Sequence, residues 1–303
     1  MTNEDVLRVK GFGCLRDKTT EDCFNVRVIT RNGKITADEM NAISEAAILF
    51  GSGEVAFTTR QTVEIQRVKY ENIDTLIDFL KKHSLETGGT GPKVRPIVSC
   101  KGTTCVFGLI DTFDLSLKIH NRFYKGYRNV KFPHKLKIAV GGCPNNCVKP
   151  DLNDIGIIGQ LIPTVDTEKC RGCKVCGVEK SCPVGACKVE NGKVVIDKSI
   201  CNNCGRCKGK CPFNAFDNYV QGYKIYIGGR WGKKFNRGFE LSKIFTDEGK
   251  CLDTVEKVML LFKDKGIQGE RFAQTIERIT FEVAENLIYS DELLERKDEI
   301  LSK

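Results

Sequence analysis

Cysteines in ligand spacing are the residues of this chain best suited to chemistry. Cys170, Cys173 and Cys176 form one CxxCxxC triad, followed by Cys182-Pro183; Cys201, Cys204 and Cys207 form another, followed by Cys211-Pro212. Four more stand apart as the pairs Cys100/Cys105 and Cys143/Cys147. Thiolate is a soft ligand, and a triad completed by a Cys-Pro from the other half is how one chain wraps two iron–sulfur cubanes. Cys170, Cys173, Cys176 and Cys211 are therefore assigned to one cluster, and Cys201, Cys204, Cys207 and Cys182 to the other. Structural zinc also accepts CxxC pairs, but two tandem triads each followed by Cys-Pro fit it badly. The outer pairs imply a third centre, so the spacing describes a reductase with its own electron relay attached.

Elements must deliver these ligands. Residues 23–30 alternate and are β-branched, which predicts a strand. Thr36-Ala-Asp-Glu39 is a capping box, and Met40, Ile43, Ala47 and Phe50 follow at helical spacing until Gly51-Ser52-Gly53. Strand-like runs at 54–58 and 62–68 and an amphipathic segment at 73–82 complete a β-α-β-β-α order, that of a split βαβ unit. A Gly/Pro-rich connector at 87–92 closes this section. Beyond it, a strand at 94–98 runs into Cys100, a helix is expected over 109–124, and a strand at 135–140 runs into Gly141-Gly142-Cys143. Strand character at 154–159 resumes at 223–227, so the cysteine block reads as an insertion. From Thr254 onward the pattern is helical, with Val255, Val258, Met259 and Phe262 on one face and Phe272, Ile276, Ile279, Val283 and Leu287 on the next.

Composition narrows the class. With 41% hydrophobic and 29% charged residues, the chain is an ordinary globular one. No apolar run approaches the ~18–20 residues that span a bilayer, and the start lacks a secretory pattern. Cysteines in ligand spacing without a secretory signal point to a reducing cytoplasm. The net charge of +9 reads either as a solvated lysine-rich surface or as attraction for an acidic electron donor or an oxyanion. Dispersed basic residues without a recognition motif exclude nucleic acid. No GxGxxG follows a strand, so reducing equivalents must come from a partner. Cys14, Cys23, Cys187 and Cys251 carry no assignment beyond small buried hydrophobes.

The stretch Gly142-Cys143-Pro144-Asn145-Asn146-Cys147, continuing to Asp154-Ile155-Gly156-Ile157-Ile158-Gly159, resembles the sirohaem-dependent sulfite and nitrite reductases. Arg95 ahead of Cys100, and Thr58-Thr59-Arg60-Gln61, match that family's segments as well. The first cysteine pair is one residue shorter than the family pattern. The arrangement is most similar to the catalytic component of the anaerobic sulfite reductases, as is the tract Gly228-Gly229-Arg230 with Lys233 and Lys234.

The resemblance implies an α+β sirohaem reductase fold: a ferredoxin-like half-domain at 1–88, a sirohaem/[4Fe–4S] domain at 89–162 and 215–303, and an inserted 2[4Fe–4S] ferredoxin at 163–214. It implies sirohaem and three [4Fe–4S] clusters, with Cys100, Cys105, Cys143 and Cys147 as ligands of the third and Cys147 bridging to the sirohaem iron. Sirohaem carboxylates and oxyanion substrates need fixed positive charge, guanidinium gripping bidentately and ammonium acting as a point charge. Arg60, Arg95, Lys135 and Lys137 are the expected cofactor contacts; Arg27, Arg95, Lys135 and Lys137 are the expected substrate-side residues. The implied reaction is six-electron reduction of sulfite to sulfide, with nitrite to ammonia as the rival and a sirohaem-free electron-transfer protein as a rival of another class. The expected partners are sulfite or nitrite and an external donor, either a ferredoxin or flavin-bearing subunits, with a homodimer or hetero-oligomer left open. No membrane contact is expected.

Overall fold

The computed structural model describes residues 2–303. Its N-terminal layer runs α1 (Asn3–Gly11), β1 (Cys14–Arg16), β2 (Cys23–Ile29), α2 (Ala37–Phe50), β3 (Val55–Phe57), β4 (Val63–Lys69), α3 (Ile73–Lys82) and β5 (Glu86–Thr87). The antiparallel sheet has the order β1-β2-β4-β3, with β5 also paired to β2. Thr36 and Glu39 close both halves of the capping box that starts α2. Ala42, Ile43, Ala46 and Ala47 of α2, with Leu76 and Leu80 of α3, pack onto Phe24, Val26, Val63 and Ile65 as one core. The short β1 and β5 and the polar α1 have too little periodicity to be read from sequence.

A second sheet has the order β12-β11-β8-β7-β6, formed by β6 (Val98–Ser99), β7 (Ile138–Gly141), β8 (Ile155–Thr164), β11 (Asn218–Ile227) and β12 (Phe239–Phe245). Strands β6, β7 and β8 are mutually parallel, while β8, β11 and β12 are antiparallel. Ile138, Val140, Ile155 and Ile157 are fully buried, as strands covered on both faces must be. The predicted 109–124 helix begins later, at the Asp111 cap, as α4 (Thr112–Ile119), and continues as a π-helical turn over His120–Lys125. Helix α6 (Glu248–Lys265) buries Val255, Val258, Met259 and Phe262 as expected.

The expected second helical face does not form as one face. Thr280, at φ +71, separates α7 (Phe272–Ile279) from α8 (Phe281–Tyr289) and caps the latter. This break turns Ala284 and Ile288 inward and leaves Val283 47% exposed. Helices α9 (Glu292–Glu295) and α10 (Lys297–Ser302) finish the chain's packing through Leu293 and Ile300.

Between β8 and β11 lies the cysteine-rich segment. The two strands pair continuously from Ile155↔Ile227 to Thr164↔Asn218, so residues 165–217 hang from the tip of a long two-stranded arm. Within them are α5 (Gly177–Ser181) and the hairpin β9 (Cys187–Glu190)/β10 (Lys193–Ile196). Its Asn191-Gly192 turn has both residues at positive φ, the mirror-image turn that matches strand twist. Cys170, Val178, Cys187, Val194, Ala215 and Phe216 form a small separate core.

Candidate metal centre and anion site

Parallel β6 and β7 end on the same sheet edge, and each runs directly into a cysteine loop. Cys100 follows β6 and Cys143 follows β7, the carboxyl-end placement where parallel sheets bind ligands. The Cys100 amide donates to Val140 O at 3.1 Å, and the Gly142 amide donates to Cys100 Sγ at 3.1 Å. Gly142 must lack a side chain, because a Cβ there would lie 2.8 Å from Gly102 Cα. The turn Gly102–Thr104 brings Cys105 back, its amide donating to Gly102 O at 3.2 Å. Burial pushes the Cys143 thiol up, and Cys100, Cys147 and Cys105 reinforce the shift, so the four thiols feel one another. Cys147 is exposed and the other three are half-buried.

The segment 165–217 holds two further groups. Cys182, Cys201, Cys204 and Cys207 wall one small cleft together with Cys187. Burial raises Cys207 to about 11, with Cys201, Cys204 and Cys182 adding to the shift. Burial opposes ionisation of Cys182 too, but the amides of Val184, Cys187 and Ala186 outweigh it and lower that thiol; the Ala186 amide donates to its sulfur at 3.2 Å. Cys170, Cys176 and Cys211 share the segment's core with Cys182 and Cys207, Cys173 lies in the loop between the first two, and the Val194 amide donates to Cys170 Sγ at 3.3 Å. Amide-to-sulfur hydrogen bonds stabilise thiolates and tune iron–sulfur centres.

Among the described residues, no three His, Cys, Asp or Glu side chains are grouped to hold a single metal ion. Tetrahedral zinc, at ~2.3 Å per sulfur, would gather its thiolates to within about 4 Å of one another. Amides aimed at the sulfurs of Cys100, Cys170 and Cys182 suit thiolate ligands. Cys14, Cys23, Cys187 and Cys251 are buried, and burial holds Cys14 and Cys187 up at about 12. Cys14 and Cys251 lie in separate apolar cores.

The basic residues gather on the other side of the Cys147 loop. Arg60, Lys137, Val148, Lys149, Asn153 and Trp231 wall a cavity of about 210 Å³. The strand expected over 135–140 begins only at Ile138; ahead of it Lys135 and Lys137 flank the fully buried Leu136, which bridges Val94, so extended backbone puts both on one side. Burial, with Arg60 and Arg271 nearby, pulls Lys137 down to about 8, and burial lowers Lys135 as well. Burial and the neighbouring Arg27 hold Arg95 at about 10; its Nε is buried without a partner while its terminal nitrogen donates to Gly89 O.

Two expected cradle residues are committed elsewhere. Arg27 donates to Glu64 at 2.6 and 3.0 Å and to Gly89 O at 3.0 Å. Arg60 donates to Asn153 Oδ1 at 3.1 Å, to Ile138 O at 3.0 Å and twice to Pro96 O. Burial, assisted by Arg95 and Arg27 against the pull of Asp154, lowers its guanidinium to about 9, still cationic at neutral pH. Arg60 therefore locks the half-domain to the second sheet while one edge faces the cavity. The paired carboxylates among these cations are Glu64 with Arg27 and Asp154 with Arg271. The surplus positive charge and the partnerless Arg95 Nε fit a group rich in carboxylates, as sirohaem is.

Some participants are invisible to local sequence reading. Buried Asp154 takes the Lys137 amide at 2.9 Å and Arg271 at 2.9 and 3.2 Å, fixing the backbone just ahead of β7 that carries both lysines. Gln61 clasps Ser99 in both directions, at 2.7 and 2.9 Å, one residue before Cys100. Trp231 directly follows the Gly228-Gly229-Arg230 tract and closes one wall of the cavity. No periodicity signals these contacts, which join residues far apart in the chain.

Residues 90–297 match the nitrite and sulphite reductase 4Fe-4S domain, and residues 16–83 match the nitrite/sulfite reductase ferredoxin-like half domain. The chain is 30% identical over 268 residues to a coenzyme F420-dependent sulfite reductase of Methanocaldococcus jannaschii, across 87% of this chain and 42% of that protein. It is 31% identical over 236 residues to one component of the anaerobic sulfite reductase of Salmonella typhimurium, across 72% of this chain and 67% of that one. The fold is like that of dissimilatory sulfite reductase I, with TM-score 0.70, 20% identity, and coverage of 88% of this chain and 69% of that one. The chain thus spans less than half of the first of these relatives and about two thirds of the second. With family domains matched across both of its sheets, the chain belongs to the nitrite and sulfite reductase 4Fe–4S family.

Proposed function

We propose that this chain is the catalytic part of a sirohaem-dependent sulfite reductase, reducing sulfite to sulfide with six electrons relayed through iron–sulfur clusters. The observation that carries the reading is the cavity beside the Cys147 loop, where Lys137, Arg60 and Lys149 converge. Cys100, Cys105, Cys143 and Cys147 would hold the cluster, and Cys147 would also hold the sirohaem. Residues 163–214 are read as the inserted ferredoxin, with its clusters on Cys170/Cys173/Cys176/Cys211 and Cys182/Cys201/Cys204/Cys207. When bound, sirohaem and its coupled cluster supply the iron that takes the substrate and the electrons that reduce it.

The chain's own residues do the rest. Lys135 and Lys137 neutralise oxyanion charge as oxygen is lost, the preorganised electrostatic role typical of such sites. Lys137, held at about 8, can also give a proton at neutral pH and recover it. Arg95, its Nε buried without a partner, adds positive charge that reaches Arg60. Arg27 and Arg95 both donate to Gly89 O, and Arg27 is further paired with Glu64.

Sulfite is favoured over nitrite because both relatives named above are sulfite reductases or components of one. The test is an optical spectrum of anaerobically purified protein, followed by sulfite and nitrite assays with reduced methyl viologen. Haem bands and faster sulfite reduction are the expected outcome. Faster nitrite reduction would reassign the substrate, and iron–sulfur absorption alone would make the chain an electron-transfer protein.

A further inference from the structure

Lys137 is held at its backbone from both sides. Its amide donates to Asp154 Oδ2 at 2.9 Å, and its carbonyl accepts the Ile155 amide at 3.0 Å. The carboxylate that does the holding is itself held. Arg271, the residue just ahead of α7, donates from one terminal nitrogen to both Asp154 oxygens, at 2.9 and 3.2 Å. Asp154 is fully buried and Arg271 is 7% exposed. Neighbouring groups tie other walls of the cavity to the same spot. The Asp154 carbonyl accepts the Gly228 amide at 2.8 Å, three residues before Trp231, and Asn153 accepts from Arg60 at 3.1 Å.

A buried ion pair can cost more in desolvation than its attraction recovers, and apolar side chains of similar volume often serve stability as well. Stability alone therefore does not account for Asp154 and Arg271. Their position beneath Lys137 does. Burial opposes the charge on Lys137, and so do Arg60, Arg271 and Lys135, while Asp154 supports it. Lys149 adds a further cation to the cavity wall. Arg60 is committed to Pro96 O, Ile138 O and Asn153. Arg271 and Asp154 thus act on the lysine in opposite senses and together bring no net charge.

We propose that Asp154 and Arg271 are positioning residues for Lys137: the carboxylate fixes the backbone that carries the lysine, and the guanidinium holds that carboxylate and balances its charge. This rests on the reading above that Lys137 serves the reaction. Both act through Lys137 and need no contact with substrate. Taking away the Arg271 charge leaves a buried carboxylate that favours the charged lysine. Taking away the Asp154 charge leaves a buried guanidinium that disfavours it. Taking away both restores the balance.

The experiment uses the full chain as purified with its cofactors, as wild type, Asp154→Asn, Arg271→Met and the double variant. Asparagine keeps an acceptor for the Lys137 amide and removes only the charge. The rate at which acetic anhydride labels Lys137, followed across pH by peptide mass, reads the lysine directly, and sulfite turnover is measured over the same range. Asp154→Asn is expected to move the labelling midpoint down and Arg271→Met to move it up, by about one pH unit each. The double variant should return near wild type, and the basic limb of turnover should shift in the same order. A pair that only supported the fold would lower the denaturation midpoint without opposed shifts. Unmoved midpoints, or both moved the same way, would overturn the proposal. If Arg271→Met does not fold, the Asp154→Asn and double variants carry the comparison, because they differ only at Arg271 and equal midpoints would overturn it. Opposed labelling shifts with an unmoved turnover profile would support the pair's action on Lys137 and remove that lysine from the reaction, so the two failures are distinguishable.

Discussion

Lys137 is where burial and charge bear most directly on chemistry. A Lys137→Met variant keeps the shape of the cavity wall and removes the cation. Turnover is expected to fall by roughly 10² or more, the loss typical of one preorganised charge, with the visible spectrum nearly unchanged. The pH dependence has a defined sign. Lys137 is lowered from 10.5 to about 8, so between those values the unfolded chain binds more protons than the folded one. Stability contributed at this site therefore rises with pH through the window, the cost of the buried charge being complete below pH 8. Turnover runs the other way, losing its cation as pH passes about 8. Rate profiles should show that basic limb, and Lys137→Arg should move it upward; a profile identical in Lys137→Met would remove the residue from the chemistry. The lysine pair was legible because strand alternation is local. The lowered proton affinity was not, since Arg60 and Arg271 reach it from other elements.

At the scale of elements, junctions matter more than the elements themselves. Arg60 joins the half-domain to the second sheet through Pro96 O, Ile138 O and Asn153. Arg60→Ala leaves partly buried carbonyls without donors and is expected to cost about 2–4 kcal/mol, read as a lower denaturation midpoint. Arg60→Lys should recover only part of this, lacking the planar fork. Gly205→Ala tests the other junction. Its Cβ would press on Leu161 and its φ would be strained, a combined cost of about 1–3 kcal/mol. The expected readout is faster proteolysis within residues 165–217, with the remainder of the chain still resistant; equal cleavage rates would show that this contact does not hold the segment. The capping box at Thr36 and the strand at residues 23–29 were legible because their signals are confined to a few neighbours. The break at Thr280 was not, because the apolar spacing of residues 272–287 runs through it, and packing against α6 decides which side chains turn inward.

For the whole molecule, the cysteine segment is a graft on a complete sheet. Thr164 and Asn218 are direct partners at the tip of the β8–β11 arm, so a two-residue turn can replace residues 165–217 without disturbing the register. The shortened chain is expected to fold, because the core of the second sheet draws on none of the removed residues. Iron per chain should fall by roughly two thirds, as two of three cages are lost. A chain that fails to fold would show the segment to be part of the core. No helix among the described residues is long and apolar enough to cross a membrane.

The candidate ligand motifs were determined by the sequence alone, because the Cys-x-x-Cys triads, the Cys-Pro pairs and the flanking glycines are local patterns. Most of the half-domain was readable for the same reason, β2, α2, β3, β4 and α3 being announced by periodicity and caps. Only the tertiary structure decided which cations are free. Arg27, Arg60, Arg95 and Lys137 look alike in the chain, yet Glu64 and backbone carbonyls from distant segments consume the first two and leave Arg95 Nε without a partner. Charge availability depends on what lies within hydrogen-bond reach, and that distance is set by packing between residues far apart in the sequence.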